Sequence, residues 1–419
     1  MRHLLLSLSL SLTLIASQAF AATPKLFTGQ PQAFERAPNA PIVGVYVPNW
    51  EPVEEVDQIK TGSISHILYA FMRICGPGQR PMDEALCAGR PEFTLGVSEK
   101  EAQFDAAFMR LKQRMPQLKV VASVGGWAGS DSFFYIANDA AKRTTFAASV
   151  VEFLRTHPGF DGVDIDWEHP GNNGAANGVQ LGSPADGQGY ADLMTDLRAA
   201  VDGLGRENGR TYLVTTAVNT AGHIIKGINF RQASRALDLI FMMTYDFYGG
   251  WSDKAGAHSA LASSSPEAED SLMAGVSTMV RAGVPAAKLV AGMAMYGRGF
   301  AGVKQHQSVN AKTGDFPSDG IKGEAGTASY KRIAEQWLGP EGRGRGGFVA
   351  RFDKVTQAWS LWNDKTADFI GYDDPRSVLL KAQYAKRAGL AGVFAWELSQ
   401  DNGDILNAMN LGVGNKPSR

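Results

Sequence analysis

The stretch Phe160-Asp161-Gly162-Val163-Asp164-Ile165-Asp166-Trp167-Glu168 sets four acids among residues that otherwise build a buried strand. Side chains along a strand alternate in direction, so Asp164, Asp166 and Glu168 share one face at a spacing of roughly 6.5 to 7 Å, while Val163, Ile165 and Trp167 share the other. The apolar face packs. On the acidic face, like charge and desolvation both push the carboxyls toward protonation. A protonated carboxyl at the end of a strand is the group needed to protonate a poor leaving group such as a glycosidic oxygen. Glu168, last and longest of the three, has the reach for it. Asp161 has the other parity and is expected to support the strand's entry. Two plainer readings compete. A divalent-metal site draws convergent carboxylates from a loop, with carbonyls and waters, whereas these acids stand in a row. A solvated acidic edge has no use for Ile165 and Trp167 on its back.

Outward from this strand, the chain divides by apolar runs. Ile42 to Pro48, Ile64 to Phe71, Leu118 to Val124, the acidic strand, Tyr212 to Val218, Leu237 to Tyr245, Leu289 to Met295 and Gly392 to Trp396 read as about eight strands. Amphipathic helical patterns lie between most of them, at 102–114, 146–156, 190–203, 270–282 and 377–387. Strands without clean polar alternation, separated by helices, indicate a parallel sheet covered by helices. Eight such units predict an α/β fold, a (β/α)8 TIM barrel. No Gly-x-Gly-x-x-Gly follows the first strand, which argues against a nucleotide site. One interval breaks the rhythm: 297–371 carries Gly-rich loops, a short helical pattern at 329–337 and aromatic strands at 348–352 and 359–362, and reads as a small α+β domain inserted between strands 7 and 8. The barrel domain is then 41–296 with 372–419, preceded by a lead-in at 22–40 without strand or helix period.

The chain opens Met1-Arg2-His3, continues with an apolar run from Leu4 to Ile15 and reaches Ala19-Phe20-Ala21, the pattern of a signal peptide over 1–21 cleaved near Ala21. A secreted or periplasmic protein is expected, with no membrane span. Lys plus Arg number 41 against 42 for Asp plus Glu, so no basic field invites nucleic acid or anionic lipid and a neutral polymer is the compatible partner. Cys75 and Cys87 flank a loop containing Gly, Pro and Asp, and in an exported chain a local disulfide is expected. Neither a metal nor a cofactor is called for, and a monomer is expected.

Asp161, Asp164, Asp166 and Glu168 also match the Asp-x-x-Asp-x-Asp-x-Glu signature of family 18 glycoside hydrolases, the chitinase family, and the chain resembles that family over most of its length, most nearly the bacterial chitinases of the A type. Met243-Thr244-Tyr245-Asp246 resembles the family's Met-x-Tyr-Asp pattern on the sixth strand, and Ser123-Val124-Gly125-Gly126 its third-strand Ser-x-Gly-Gly motif. The resemblance extends to the insertion, bracketed by Tyr296-Gly297-Arg298 and Tyr372-Asp373-Asp374-Pro375-Arg376-Ser377. Two departures from the family's pattern are expected: a short lead-in stands where such relatives commonly carry an N-terminal β-sandwich, and no Trp occurs around Gly323-Glu324-Ala325.

Barrel active sites form at the carboxyl ends of the strands, which here offer Tyr46, Trp50, Phe71, Trp127, Met243, Tyr245, Asp246, Trp251, Tyr296, Arg298, Trp396 and Glu397 around the acids. A ring of aromatics suits a pyranose, whose CH faces stack while its hydroxyls and amides take directed hydrogen bonds. Trp167 faces the helix layer by parity and is assigned to the core; His169 is expected to be solvated.

The resemblance implies hydrolysis of chitin and chitooligosaccharides at β-1,4-linked N-acetylglucosamine, with retention and substrate assistance. It implies Glu168 as the acid, Asp166 as partner of the acetamido N–H, Asp164 as sharer of Asp166's proton and Trp396 as the sugar-stacking floor. It further implies that Tyr245 orients the acetamide, while Asp246 and Arg298 hold the sugar. The rivals are an endo-β-N-acetylglucosaminidase acting on glycoprotein glycans and a non-catalytic chitin-binding lectin; the intact Glu168 opposes the second.

Overall fold

The computed structural model describes residues 25–303 and 326–418. The expected leader at 1–21 and the segment around Gly323 lie outside these residues. Eight strands, β1 (Ile42–Pro48), β2 (His66–Ile74), β3 (Lys119–Gly125), β4 (Gly162–Asp166), β5 (Leu213–Val218), β6 (Leu239–Met242), β7 (Leu289–Ala294) and β8 (Gly392–Trp396), pair in parallel in chain order. The ring closes where Gly392 of β8 pairs with Ile42 of β1. This is the (β/α)8 barrel that the alternation of apolar runs and amphipathic helices predicts.

Strand parity sorts the core into two layers. Leu68, Ala70, Val121, Phe241 and Phe394 fill the barrel interior with Tyr46 and Tyr296, while the intervening Ile67, Tyr69, Val120 and Ala122 meet the helices. Trp167 follows the same rule: it is buried beside Phe133 and Tyr190, ring centres 5.9 and 6.4 Å away.

Two of the helices begin earlier than apolar periodicity alone places them, because capping sets their starts. Ser98 and Glu101 form a reciprocal capping box at the head of Glu99–Arg114. The Asp139 carboxylate accepts from the amides of Ala141 and Lys142 at the head of Ala140–Thr156. The sixth strand is shorter than the expected 237–245. The Thr244 hydroxyl donates to the Gly292 carbonyl and accepts from the Gly292 amide, both at 3.0 Å. A side chain thus takes the ladder bonds of β7, and the backbone is free to turn at Tyr245.

Between β7 and β8 the described residues form a five-stranded antiparallel sheet in the order Thr327–Ser329, Tyr296–Phe300, Asp368–Tyr372, Ala358–Asn363, Phe348–Asp353. Two of these strands stand where glycines suggested loops. At Gly297 a Cβ would lie 2.8 Å from Ile333 Cδ1 and 2.9 Å from the Gly371 carbonyl, so the glycine serves close packing, not a turn.

The lead-in is also more ordered than its composition suggested. Phe34–Glu35 pairs antiparallel with Lys416–Pro417, and the amides of Thr28 and Gly29 donate to Asp404 Oδ1 at 2.7 and 2.8 Å. Cys75 and Cys87 are joined in a disulfide, Cα atoms 5.3 Å apart, closing the loop after β2.

Candidate active site

The acidic strand delivers its side chains into the barrel mouth. Asp164 is fully buried, accepting from Ser123 Oγ at 2.7 Å and Thr215 Oγ1 at 2.6 Å. Burial pushes its carboxyl up to about 6, against those hydrogen bonds. Asp166, the last residue of β4, is pushed well above the ordinary carboxylate range by burial, then by Glu168 and Asp164. Asp166 Oδ1 is buried and accepts no hydrogen bond among the described residues. Glu168 lies beyond the strand end, its amide donating to Ser130 Oγ at 3.2 Å, and its side chain is 16% exposed. The row runs from a dry, hydrogen-bonded base to an open tip, with raised carboxyls beneath Glu168.

The Asp161 carboxylate faces away, accepting from the Val120 amide at 2.8 Å and Lys112 Nζ at 2.6 Å. His169 corrects the expectation of a solvated ring: it is largely buried, 4.0 Å from Glu168 and 6.3 Å from the Trp127 ring centre. Burial, and secondarily His223, pull its pKa down to about 4, so it is neutral beside Glu168.

Trp396 at the end of β8 lies 5.4 Å from Phe71 in a near-parallel stack, 4.9 Å edge-on from Tyr46 and 6.2 Å from Trp50. Met243 packs against the same cluster. Gly126, at φ 79°, backs onto Phe71, whose ring atoms would lie 2.7 Å from any Cβ there. Trp50, Trp127 and Trp251 stand open, at 52%, 47% and 63% exposure. Beside Trp127 lies a cavity of about 430 Å³ whose lining includes His169, Pro170, Asn172, Ser183 and His223.

Tyr245 is buried, its ring centre 6.2 Å from that of Tyr296, and desolvation followed by the neighbouring acids pushes its phenol well above the usual range. Asp246, at φ 61°, accepts from Tyr296 Oη at 2.6 Å and from Arg298 Nε and Nη2 at 2.9 and 2.8 Å. Burial would raise its carboxyl, but Arg298, with His258 Nδ1 at 3.4 Å, holds it below the ordinary range. Arg298 also stacks over Trp251, 5.1 Å from the ring centre.

Glu397 is not part of this surface. It is buried, and both carboxylate oxygens accept from Ser399, at 2.8 Å each, capping the turn Leu398–Gln400. Its position at the strand end beside Trp396 suggested a ligand contact; a Ser two residues on is the cap signal that competes with it. Sequence reading also passed over Arg73 and His258. Arg73 was visible as a lone cation in Ala70-Phe71-Met72-Arg73-Ile74. Among the described residues no group of three or more His, Cys, Asp or Glu is placed to hold a metal ion.

A closed parallel barrel with a carboxylate row at its mouth is the frame of a glycoside hydrolase. The family model described as Glycosyl hydrolases family 18 matches residues 42–401, and the chain belongs to this family. It is 36% identical over 434 residues to a chitinase A of Pseudoalteromonas piscicida, covering 90% of this chain and 52% of that protein. It is 35% identical over 401 residues to a chitinase of Autographa californica nuclear polyhedrosis virus, covering 88% and 70%. The chain thus spans about half the length of the first relative. Among solved structures, a family 18 N-acetylglucosaminidase from Paenibacillus barengoltzii superposes with a TM-score of 0.73 at 29% identity, covering 89% of this chain and 99% of that one. A chitinase from Bacillus thuringiensis gives 0.76 at 27%, covering 89% and 70%.

Proposed function

We propose that this chain is an exported chitinase that hydrolyses β-1,4 linkages between N-acetylglucosamine units with retention, using the substrate's own acetamide as nucleophile. The observation that carries this reading is the pairing of Glu168 at the open end of the row with a raised, hydrogen-bond-poor Asp166 below it. Glu168 gives its proton to the leaving oxygen while the acetamido oxygen attacks the anomeric carbon, so the glycosidic bond breaks as the oxazolinium ring closes. Asp166 accepts the acetamide N–H and faces the positive charge; Asp164 takes up the proton that Asp166 gives up. Water, deprotonated by Glu168, then opens the ring and restores the acid. Asp246 is an unsuitable nucleophile, since Arg298 and Tyr296 occupy its oxygens.

Tyr46, Phe71, Met243 and Trp396 form the floor under the reacting sugar, Tyr245 orients its acetamide, and Asp246 with Arg298 holds a hydroxyl. Trp50 extends the floor on one side, and Trp127 with the cavity beside His169 extends it on the other. The sheet inserted at 297–371 is a wall of the same groove, supported by Trp251 stacking on Arg298 at its base. The opening Met1–Ala21 pattern and the disulfide support export to the periplasm or beyond; among the described residues no helix is long and apolar enough to cross a membrane. The partner is chitin or a chitooligosaccharide, bound by a monomer.

The test is a digest of N-acetylglucosamine hexamer followed by mass and anomeric form. Shorter N-acetylated oligomers with the β-anomer formed first are expected. Activity confined to glycoprotein glycans points to the endo-β-N-acetylglucosaminidase reading, and binding without cleavage points to a lectin.

A further inference from the structure

Arg73 stands near the end of β2, its half-buried guanidinium 5.6 Å from the centre of the Phe71 ring. Its Nη1 donates to the Gly125 carbonyl at 2.7 Å. Gly125 is the ladder partner of Asp166, and the next amide, Gly126 N, donates to the Asp166 carbonyl at 2.9 Å. Gly129 closes the slot on the guanidinium: any Cβ there would run into Nη1. Burial, then Glu168 and Asp164 from its own segment, raise the Asp166 carboxyl, and the Arg73 charge on β2 opposes them. Tyr46 of β1 and Tyr245 after β6 face it as neutral phenols. Arg73 itself faces Arg80 and Asp83, which pair with each other at 2.8 Å. Burial pulls Arg73 down to about 10, so it remains charged at neutral pH.

We propose that Arg73 is a positioning residue for the acidic row, a fixed cation behind Gly125 and Gly126 that keeps the Asp166 carboxyl able to ionise during turnover. Three stacked carboxyls in a dry strand raise one another. Without that counter-charge nothing offsets the burial, Glu168 and Asp164 that raise the Asp166 carboxyl, and the anion that steadies the oxazolinium is harder to form. The inference rests on the hydrolytic reading above.

The experiment compares wild type, Arg73→Gln and Arg73→Lys in the full chain. On the soluble hexamer, Arg73→Gln moves the acid limb of the kcat profile upward by about one pH unit, with KM nearly unchanged, and Arg73→Lys returns the limb toward its wild-type position. A second readout needs no turnover: carbon-13 titration of labelled Asp carboxyls, with Asp166 assigned through Asp166→Asn, gives a higher midpoint in Arg73→Gln. Arg73→Met, which keeps the stem and removes the charge, replaces Arg73→Gln if the latter does not fold. An unmoved Asp166 midpoint, or a kcat lowered equally at every pH with both limbs in place, overturns the inference. A wild type that leaves the hexamer intact counts against the proposed function alone, because the titration still decides the role of Arg73.

Discussion

Asp246 and Arg298, separated by 52 residues, form a two-pronged ion pair at 2.8 and 2.9 Å from a backbone that turns left-handed at Asp246. The pair ties the loop after β6 to the first strand beyond β7. Arg298 holds the Asp246 carboxyl below its ordinary range, so the ionised form stabilises the fold above the unfolded carboxyl's pKa, and that stabilisation is lost as pH falls through the lower folded value. Arg298→Gln is expected to destabilise by about 1–3 kcal/mol at pH 7, discounted because Asp246 is 31% exposed. The deficit should narrow below about pH 4. Denaturant titrations of both proteins at pH 7, 5 and 3 check this; a deficit that stays constant down to pH 3 contradicts it.

Asp164 behaves in the opposite sense. Its folded carboxyl sits at about 6 because of burial, so the fold binds an extra proton between the unfolded value and 6 and loses stability as pH rises across that window, by roughly 3 kcal/mol in all. Asp164→Asn removes this dependence. The offset between the two proteins also contains the changed partners of Ser123 and Thr215, but its slope with pH does not. The variant should therefore gain on wild type between pH 4 and pH 8, and parallel stabilities across that range would refute the assignment.

Glu168→Gln keeps the shape of the side chain and removes its acidic proton. Turnover should fall by at least about 100-fold while oligosaccharide binding survives, measured by calorimetry alongside product release. Retention of more than about a tenth of wild-type kcat would take Glu168 out of the acid role.

Trp50 and Trp127 are both open to solvent, one neighbouring Trp396 and the other His169. A stacking ring is worth about 0.5–1.5 kcal/mol, so Trp50→Ala and Trp127→Ala should each raise KM for the hexamer by roughly 2- to 10-fold. Sharing no contact, they should multiply in the double variant. If hexamer KM is unmoved in both, these rings only cover the rim.

On partly de-acetylated chitosan, cuts should fall only where N-acetylglucosamine precedes the scissile bond, because the acetamide is the nucleophile. Glucosamine found equally often at new reducing ends, or a sugar trapped covalently on Asp166 or Asp246, would falsify substrate assistance.

The sequence by itself determined whatever depends on neighbours along the chain. Parity alone separated Asp164, Asp166 and Glu168 from Val163, Ile165 and Trp167, and the alternation of apolar runs with amphipathic stretches specified eight parallel strands. Period is written in consecutive residues, so it survives without a structure. Tertiary structure decided what each side chain meets across the barrel. Only closure and register put Arg73 behind Gly125 and Asp166, joined Asp246 to Arg298, and brought Thr28 to Asp404, 376 residues away. Glu397 marks the same boundary from the other side: its position at a strand end pointed to the mouth, but Ser399 took both its oxygens, because a nearby hydroxyl and amide satisfy a buried carboxylate more cheaply than an open site does.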